Sequence, residues 1–509
     1  AYQFPEDASP MAHPIRPASY VAIDNFYTPT VYDKGAEVVR MIQTLIGREA
    51  FGAGLTEYLR RHDGQAVTCE DFVAAMGEVS GFDFTPFMHW YDQAGTPRVT
   101  VSEAFDPQAG RYTLTMAQSN PLAPAGPPCL IPLRMTLFGA DGAELPGTDR
   151  TLLLRESRQS FSFEGLSAQP TPSLLRGFSA PVSLDFPYSS EQLVLLLNGE
   201  SDPFAAWEAG QRRVTAILLA ATAAIVAGNE PLWPEDYFAV VGQLLAQRET
   251  RGAALIAECL TLPDEASLTQ AITGVVDPDA LHLAWTGFRQ ALAARLQADW
   301  WTTYEQLAPQ GPYRFDPSEM GRRALRNRCL AYLAELETEP ARAAAWSQFQ
   351  DADNMTDQYA ALAVLTDHVG PQREAALAAF YDQWRSETLV IDKWFAIQAA
   401  SRLPDTLTRV AELTRHPDFD YANPNRALSL LRTFGDNLVR FHAADGGGYE
   451  FLGEQIAVID GINSTTSAYL ARAFDSWRRY DAGRQAHCQR VLEGLRERPG
   501  LSRALLEVV

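Results

Sequence analysis

The hydrophobic period of this chain changes twice, and that pattern limits its folds more than any other feature. From Arg98 to about Pro187 apolar residues alternate with polar ones. Val99 and Val101 do so, then Tyr112, Leu114 and Met116, then Ile131, Leu133, Met135 and Leu137. A period of two puts every second side chain on one face of a strand. Gly139 to Gly142 (GADG) reads as a hairpin-type turn, and Pro121 to Pro128 as a loop. Short, regularly spaced strands of this kind predict a small β-sandwich. On both sides the period is helical. Val38, Val39, Met41, Ile42, Leu45 and Ile46 mark one buried face of an amphipathic helix, and Phe51, Leu55 and Leu59 share a stripe. Thr68 with Asp71 predicts a capping pair ahead of Phe72, Val73 and Met76. Phe87, Trp90 and Tyr91 cluster before Gly95-Thr96-Pro97 breaks the helix. From about Glu191 to Val509 the pattern is helical almost throughout. Asp202-Pro203 reads as a helix start, and Asp277-Pro278, Asp316-Pro317 and Glu339-Pro340 punctuate later helices. No exact repeat length emerges, but stacked helix pairs in a solenoid fit better than one bundle.

A chain of 509 residues is too long for one ordinary core, so several domains are expected. The net charge of −21 should repel nucleic acid and anionic membrane, which argues against either as a partner. Cys69, Cys129, Cys259, Cys329 and Cys488 are odd in number, far apart and free of any CxxC pair. They predict reduced thiols in a cytoplasmic protein. The start, AYQFPEDASP, lacks the basic and apolar regions of a signal peptide and lacks an initiator Met, as expected of a chain trimmed upstream. The longest apolar run, Val214 to Ala227, is too short to span a bilayer and reads as a buried helix.

Residues 1 to about 22 are punctuated by Pro5, Pro10, Pro14 and Pro17 and predict an extended or looped segment. Asn25 to Arg40, NFYTPTVYDKGAEVVR, then runs from a polar, aromatic turn into the first amphipathic helix. Tyr32 stands just before that helix, with Asp33, Lys34 and Gly35 at its start. A phenol held at a helix entrance is a positioned, neutral hydrogen-bond donor. Taken alone, it reads more readily as a core tyrosine with a satisfied hydroxyl.

Three phrases, PEDASPMAHPIRP (Pro5 to Pro17), NFYTPTVYDKGAEVVRM (Asn25 to Met41) and FMHWYDQAGTPRVTV (Phe87 to Val101), closely resemble the M1 family of zinc aminopeptidases, in its bacterial alanyl aminopeptidase N branch. Further phrases continue the resemblance to the end of the chain, among them SDPFAAWEAGQ (Ser201 to Gln211), LVIDKWFAIQA (Leu389 to Ala399), NPNRALSLL (Asn423 to Leu431) and FHAADGGGYEFL (Phe441 to Leu452). The resemblance is to the C-terminal part of such an enzyme. It implies a mixed, mainly α architecture. Residues 1–97 would be the helical end of a thermolysin-like catalytic domain, 98–188 a β-sandwich and 189–509 an α-helical superhelical solenoid.

The resemblance also implies roles. Tyr32 occupies the position of the tyrosine that stabilises the tetrahedral intermediate. Tyr27 and Asp24 would line the pocket near the substrate amine, and His13 and Arg16 would border the cleft. The whole enzyme would remove neutral or basic N-terminal residues from peptides. Its zinc, general base and amine-binding motif would lie in the upstream part of the catalytic domain, so this chain alone should be inactive. The residues agree. His13, His62, His89, His282, His368, His416, His442 and His487 include no pair four apart and no HExxH, the spacing that puts two ligands on one helix face. No zinc ligand is therefore assigned within the chain. In some relatives a glutamine and an arginine of the last domain sit near the peptide's carboxyl end. The matching stretch here, Asn463 to Leu470 (NSTTSAYL), lacks a clear equivalent. There is no GxSxG elbow and no phosphate loop, and Gly446 to Gly448 reads as a tight turn between helices. The alternative is a non-catalytic helical scaffold that binds peptides, or a subunit of a split enzyme whose zinc domain is a separate chain.

Overall fold

The computed structural model describes residues 3–9, 11–19 and 26–509. Contacts divide the chain into two units, Ala1–Arg213 and Val214–Val509.

The first unit opens with a short helix, α1 (Gln3–Asp7), where proline punctuation had suggested an extended or looped segment. Pro5 is tolerated because first-turn amides have no partner within a helix. A π-type turn, Thr30–Lys34, leads into α2 (Gly35–His62). Val38, Met41 and Ile42 of α2 are buried as their spacing requires. Within α2, Gly47 has φ 79°, a left-handed conformation that glycine adopts without a Cβ clash, so the element is two helical segments joined by a kink. Of the stripe Phe51, Leu55 and Leu59, only Phe51 packs against the core, and the two leucines are exposed. The second segment instead turns Gly54 onto α3 (Cys69–Ser80), so closely that a Cβ there would stand 2.5 Å from Met76 Sδ. The capping pair of α3 forms as expected: Thr68 accepts from the Asp71 amide and Asp71 from the Thr68 amide. Helix α4 (His89–Asp92) follows.

Seven strands come next: β1 (Arg98–Asp106), β2 (Arg111–Ser119), β3 (Ile131–Phe138), β4 (Arg150–Leu154), β5 (Arg158–Phe163), β6 (Thr171–Leu174) and β7 (Ser183–Asp185). They form two sheets, ordered β5-β2-β1-β7 and β4-β3-β6. All pairs are antiparallel except β1 with β7. The alternation expected of β1 and β2 is present, whereas β3 is buried on both faces except at Arg134. Pro132 sits within β3 without breaking the sheet, because β6 pairs only from Met135 onward and leaves that side of β3 without a ladder. The core does not stop at Gly95-Thr96-Pro97. It runs from Val38 and Ile42 through Phe87 and Trp90 to Val99, Tyr112, Leu133 and Phe163. Trp90 is fully buried and its indole donates to Leu130 O at 2.9 Å.

A sharp corner follows β6. Leu175, Gly177 and Phe178 all have positive φ (62°, 60° and 50°), unfavourable for the two that carry side chains. Arg40 of α2 secures the corner by donating to the carbonyls of Gly177, at 2.8 Å, and Phe178. Buried Arg176 pairs with Glu200 at 2.7 Å and Glu144 at 2.8 Å. Asp202 accepts from the Gly177 amide and caps α6 (Pro203–Val226), which follows α5 (Ser190–Gly199). The apolar run from Val214 lies on α6, and the boundary between the units falls within that helix.

The second unit is a succession of helices, each packed mainly on its sequence neighbours. Asp277, Asp316, Asn354, Asn423, Asn463 and Asp481 cap their helices with side-chain oxygens. Gly446 turns with φ 75°, and Gly447 and Gly448 already belong to the helix Gly447–Asp460. The array also closes back on an earlier stretch, residues 272–279. The Val276 amide donates to Arg479 O at 2.7 Å, Arg479 to Ile272 O at 2.7 Å, and Arg484 to Asp279 at 2.6 Å. Among the described residues no helix is long and apolar enough to cross a membrane.

Candidate functional site

The turn that carries Tyr32 is fixed from below. Thr28 begins it: its carbonyl accepts from the Tyr32 amide at 3.1 Å, and its hydroxyl from the Val31 amide at 3.2 Å. The Gly35 amide reaches back to Thr30 O, five residues, which makes the turn a π-turn. The wider loop puts Thr30 and Lys34 inside and Tyr32 outside, and such turns recur at functional sites. Thr30 donates both its amide (2.9 Å) and its hydroxyl (2.6 Å) to Glu6 Oε2. Lys34 donates to Asp7 Oδ2 at 2.9 Å and to Gly95 O at 2.8 Å. Thr96 donates to the same Asp7 oxygen at 2.9 Å. Both side chains of the Lys34–Asp7 pair are 1% exposed. Helix α1, the turn and the 94–96 loop are thus held together by a buried ion pair and a buried carboxylate.

Above this base Tyr32 is 59% exposed and Tyr27 61% exposed. Their ring centroids are 6.2 Å apart and 32° from parallel, so two phenols stand side by side on an open surface. Asp24 lies outside the described residues. His13 faces the same turn. Its Nδ1 lies 2.7 Å from Pro14 O, and its Nε2 lies 2.9 Å from Thr28 Oγ1. A carbonyl only accepts, so Nδ1 carries a proton, and His13 braces Thr28 as a support for the turn. Arg16 is tied elsewhere. It pairs with Glu70 and, at 2.7 Å, with Asp92, and its amide donates to Tyr91 O. The hydrogen bond from Arg16 holds the Glu70 carboxyl below the usual range.

Structure therefore brings Tyr32, Tyr27 and His13 together and sets Arg16 apart. Sequence reasoning did not find Glu6 and Asp7, which support the turn across more than twenty residues. Their signal was slight: two adjacent carboxylates in a proline-rich stretch without a period. Among the described residues no three His, Cys, Asp or Glu side chains converge as metal ligands.

Known families match this chain in three segments. Residues 1–91 match the peptidase family M1 domain. Residues 95–187 match a domain of unknown function, DUF3458, with an Ig-like fold, and residues 190–509 match DUF3458_C, described as ARM repeats. This chain belongs to the DUF3458_C family. Over its whole length it is 38% identical to Aminopeptidase N of Escherichia coli K12 and 39% identical to Aminopeptidase N of Caulobacter vibrioides. It spans 59% of the length of each. The structure of Legionella pneumophila aminopeptidase A in complex with aspartic acid matches 97% of this chain with a TM-score of 0.88 and 30% identity. This chain covers 58% of that one. The mainly α layout of this family, with an Ig-like β region followed by ARM-like helical repeats, is the layout described above.

Proposed function

We propose that this chain forms the C-terminal part of an M1 aminopeptidase that hydrolyses the N-terminal residue from peptides, and that Tyr32 is its catalytic contribution. Residues 1–97 would complete the catalytic domain, 98–188 act as a β-sandwich spacer, and 189–509 form the helical domain. The observation that carries the reading is the contrast at the turn. The backbone of Tyr32 is anchored by Glu6, Lys34–Asp7 and Thr28, while its phenol projects into open space. An anchored donor that meets no acceptor among the described residues is suited to a charge that appears only during reaction. It would donate to the oxyanion of the tetrahedral intermediate, a role worth about 10²–10³ in rate. Tyr27, beside it, would line the pocket for the peptide's first residue. Zinc and the general base would come from residues beyond this set. The free cysteines and acidic surface support a cytoplasmic setting with neither nucleic acid nor membrane as partner.

The test is Tyr32→Phe in the full-length enzyme that contains this chain, assayed on alanyl peptide substrates. The expected result is a fall in kcat of about 10²–10³ with the urea midpoint unchanged. Unaltered kcat would remove Tyr32 from the mechanism. A full-length protein with no aminopeptidase activity would favour the peptide-binding scaffold.

A further inference from the structure

The strained corner after β6 touches both elements that hold the turn of Tyr32. Phe178 has φ 50°, unfavourable for a residue with a Cβ, and such a conformation persists only where its surroundings fix it. On one side its carbonyl accepts from Arg40 of α2, the helix that the turn enters. Arg40 also donates to Gly177 O at 2.8 Å and is steadied by Glu37, at 2.8 Å. On the other side the ring of Phe178 stands against Phe4 of α1, with centroids 6.3 Å apart. Glu6 and Asp7 of α1 hold Thr30 and Lys34 of the turn. The turn is thus slung between two helices, and Phe178 meets both.

The contact with α1 matters because that helix cannot hold itself. It has five residues, too few for helical stability of their own, so its place depends on packing. Its buried side chains, Gln3, Glu6 and Asp7, are polar, and Phe4 is its one aromatic ring. Phe178 offers that ring a fixed surface. Phe204 of α6 backs Phe178 at 5.2 Å, and Trp207 backs Phe204 at 5.7 Å. Asp202 ties this backing to the corner by accepting from the amides of Gly177 and Ala205, each at 2.9 Å.

We propose that Phe178 is a positioning residue for Tyr32. It fixes α1, and through Glu6 and Asp7 it fixes the turn that carries the phenol. The proposal rests on the role given to Tyr32 above.

The test uses the full-length enzyme that contains this chain. Phe178→Asn removes the ring and keeps a residue that tolerates the left-handed backbone. Phe4→Ala cuts the same contact from the α1 side and leaves the corner intact. Each is made in the wild type and in Tyr32→Phe. Two quantities are read: deuterium exchange of the peptide spanning residues 28–34, and kcat and KM on alanyl peptide substrates. For either variant, exchange in 28–34 is expected to quicken by about tenfold while exchange in β2 stays unchanged. The kcat should fall by about tenfold with KM little altered, as when a donor used only in the transition state is misplaced. In Tyr32→Phe that further fall should vanish, because both changes act through one group. Unchanged exchange in 28–34, or exchange quickened as much in β2, would overturn the proposal. So would a fall in kcat as large in Tyr32→Phe as in the wild type. If Tyr32→Phe alone leaves kcat unaltered, the role of Tyr32 falls, and exchange in 28–34 decides by itself whether Phe178 positions the turn.

Discussion

Lys34 and Asp7 illustrate how a buried pair can decide where an exposed side chain, that of Tyr32, stands. Their pair is almost fully buried, and removing one partner leaves an uncompensated charge inside the protein. Lys34→Met is therefore expected to destabilise the first unit by about 3–5 kcal/mol. The double change Asp7→Asn with Lys34→Met should lose less. Urea unfolding of the three proteins checks both statements, and equal losses in the single and double variants would contradict them. His442 provides a pH-dependent case. Burial, and then the charge of Arg484, push its imidazole down to about 3. Its nitrogens lie 2.9 Å from Tyr449 Oη and 3.1 Å from Tyr480 Oη. The folded state holds the neutral form, while the unfolded chain takes up a proton near pH 6.5. Stability is thus fully present above about pH 6.5 and is lost as pH falls towards 3. Between about pH 7 and pH 5 this group should cost about 2 kcal/mol. Urea midpoints at both pH values should fall less in His442→Gln than in the wild type.

At the scale of elements, local signals were legible and remote ones were not. Thr68 with Asp71, Asp277 and Asp316 cap the helices that their sequence neighbours announce, because a cap and its amides lie within three residues. The strands β1 and β2 follow from alternation, since each buries one face. On β3 the alternation of Ile131 to Leu137 was visible, but burial of its second face depends on what packs there, which no period encodes. The kink at Gly47 and the helix at Gln3–Asp7 were missed for the same reason, being set by tertiary packing. Tyr32 was found through a phrase shared with a family. The carboxylate of Glu6 and the pair Lys34–Asp7 beneath it join segments far apart in sequence. Close packing of elements makes one more expectation. At Gly448 an added Cβ would stand 2.4 Å from Phe441 O and 3.0 Å from Phe441 Cα, both backbone atoms that cannot turn aside. Gly448→Ala usually gains up to about 1 kcal/mol in a helix. Here overpacking should prevail with a net loss of about 1–3 kcal/mol in urea unfolding.

For the whole molecule, the change of period located the β region, and packing crosses the break that ends the preceding helix. Gly95-Thr96-Pro97 ends a helix, yet apolar packing continues from α2 through Trp90 into the sheets, so helices and sandwich fold as one unit. In the second unit the solenoid was legible and its closure onto residues 272–279 was not, because those contacts span about two hundred residues. Arg484 stands at that seam and binds Asp279, Asp481 and the His442 carbonyl, each at 2.6 Å. Arg484→Leu should free the Val276 amide, whose exchange with deuterium is expected to quicken by about tenfold or more. Unchanged exchange at Val276 would mean that Arg484 does not hold the seam.

The same seam bears on how such a domain changes over time. An open row of helix pairs lengthens freely when a repeat is duplicated, because each new pair needs only its two neighbours. A row in which an earlier member binds a later one has a set number of members between the two. One added or deleted pair would separate Val276 from Arg479 and Asp279 from Arg484. The number of helices between residues 276 and 479 is therefore fixed by closure, and change within that stretch falls on side chains and loops.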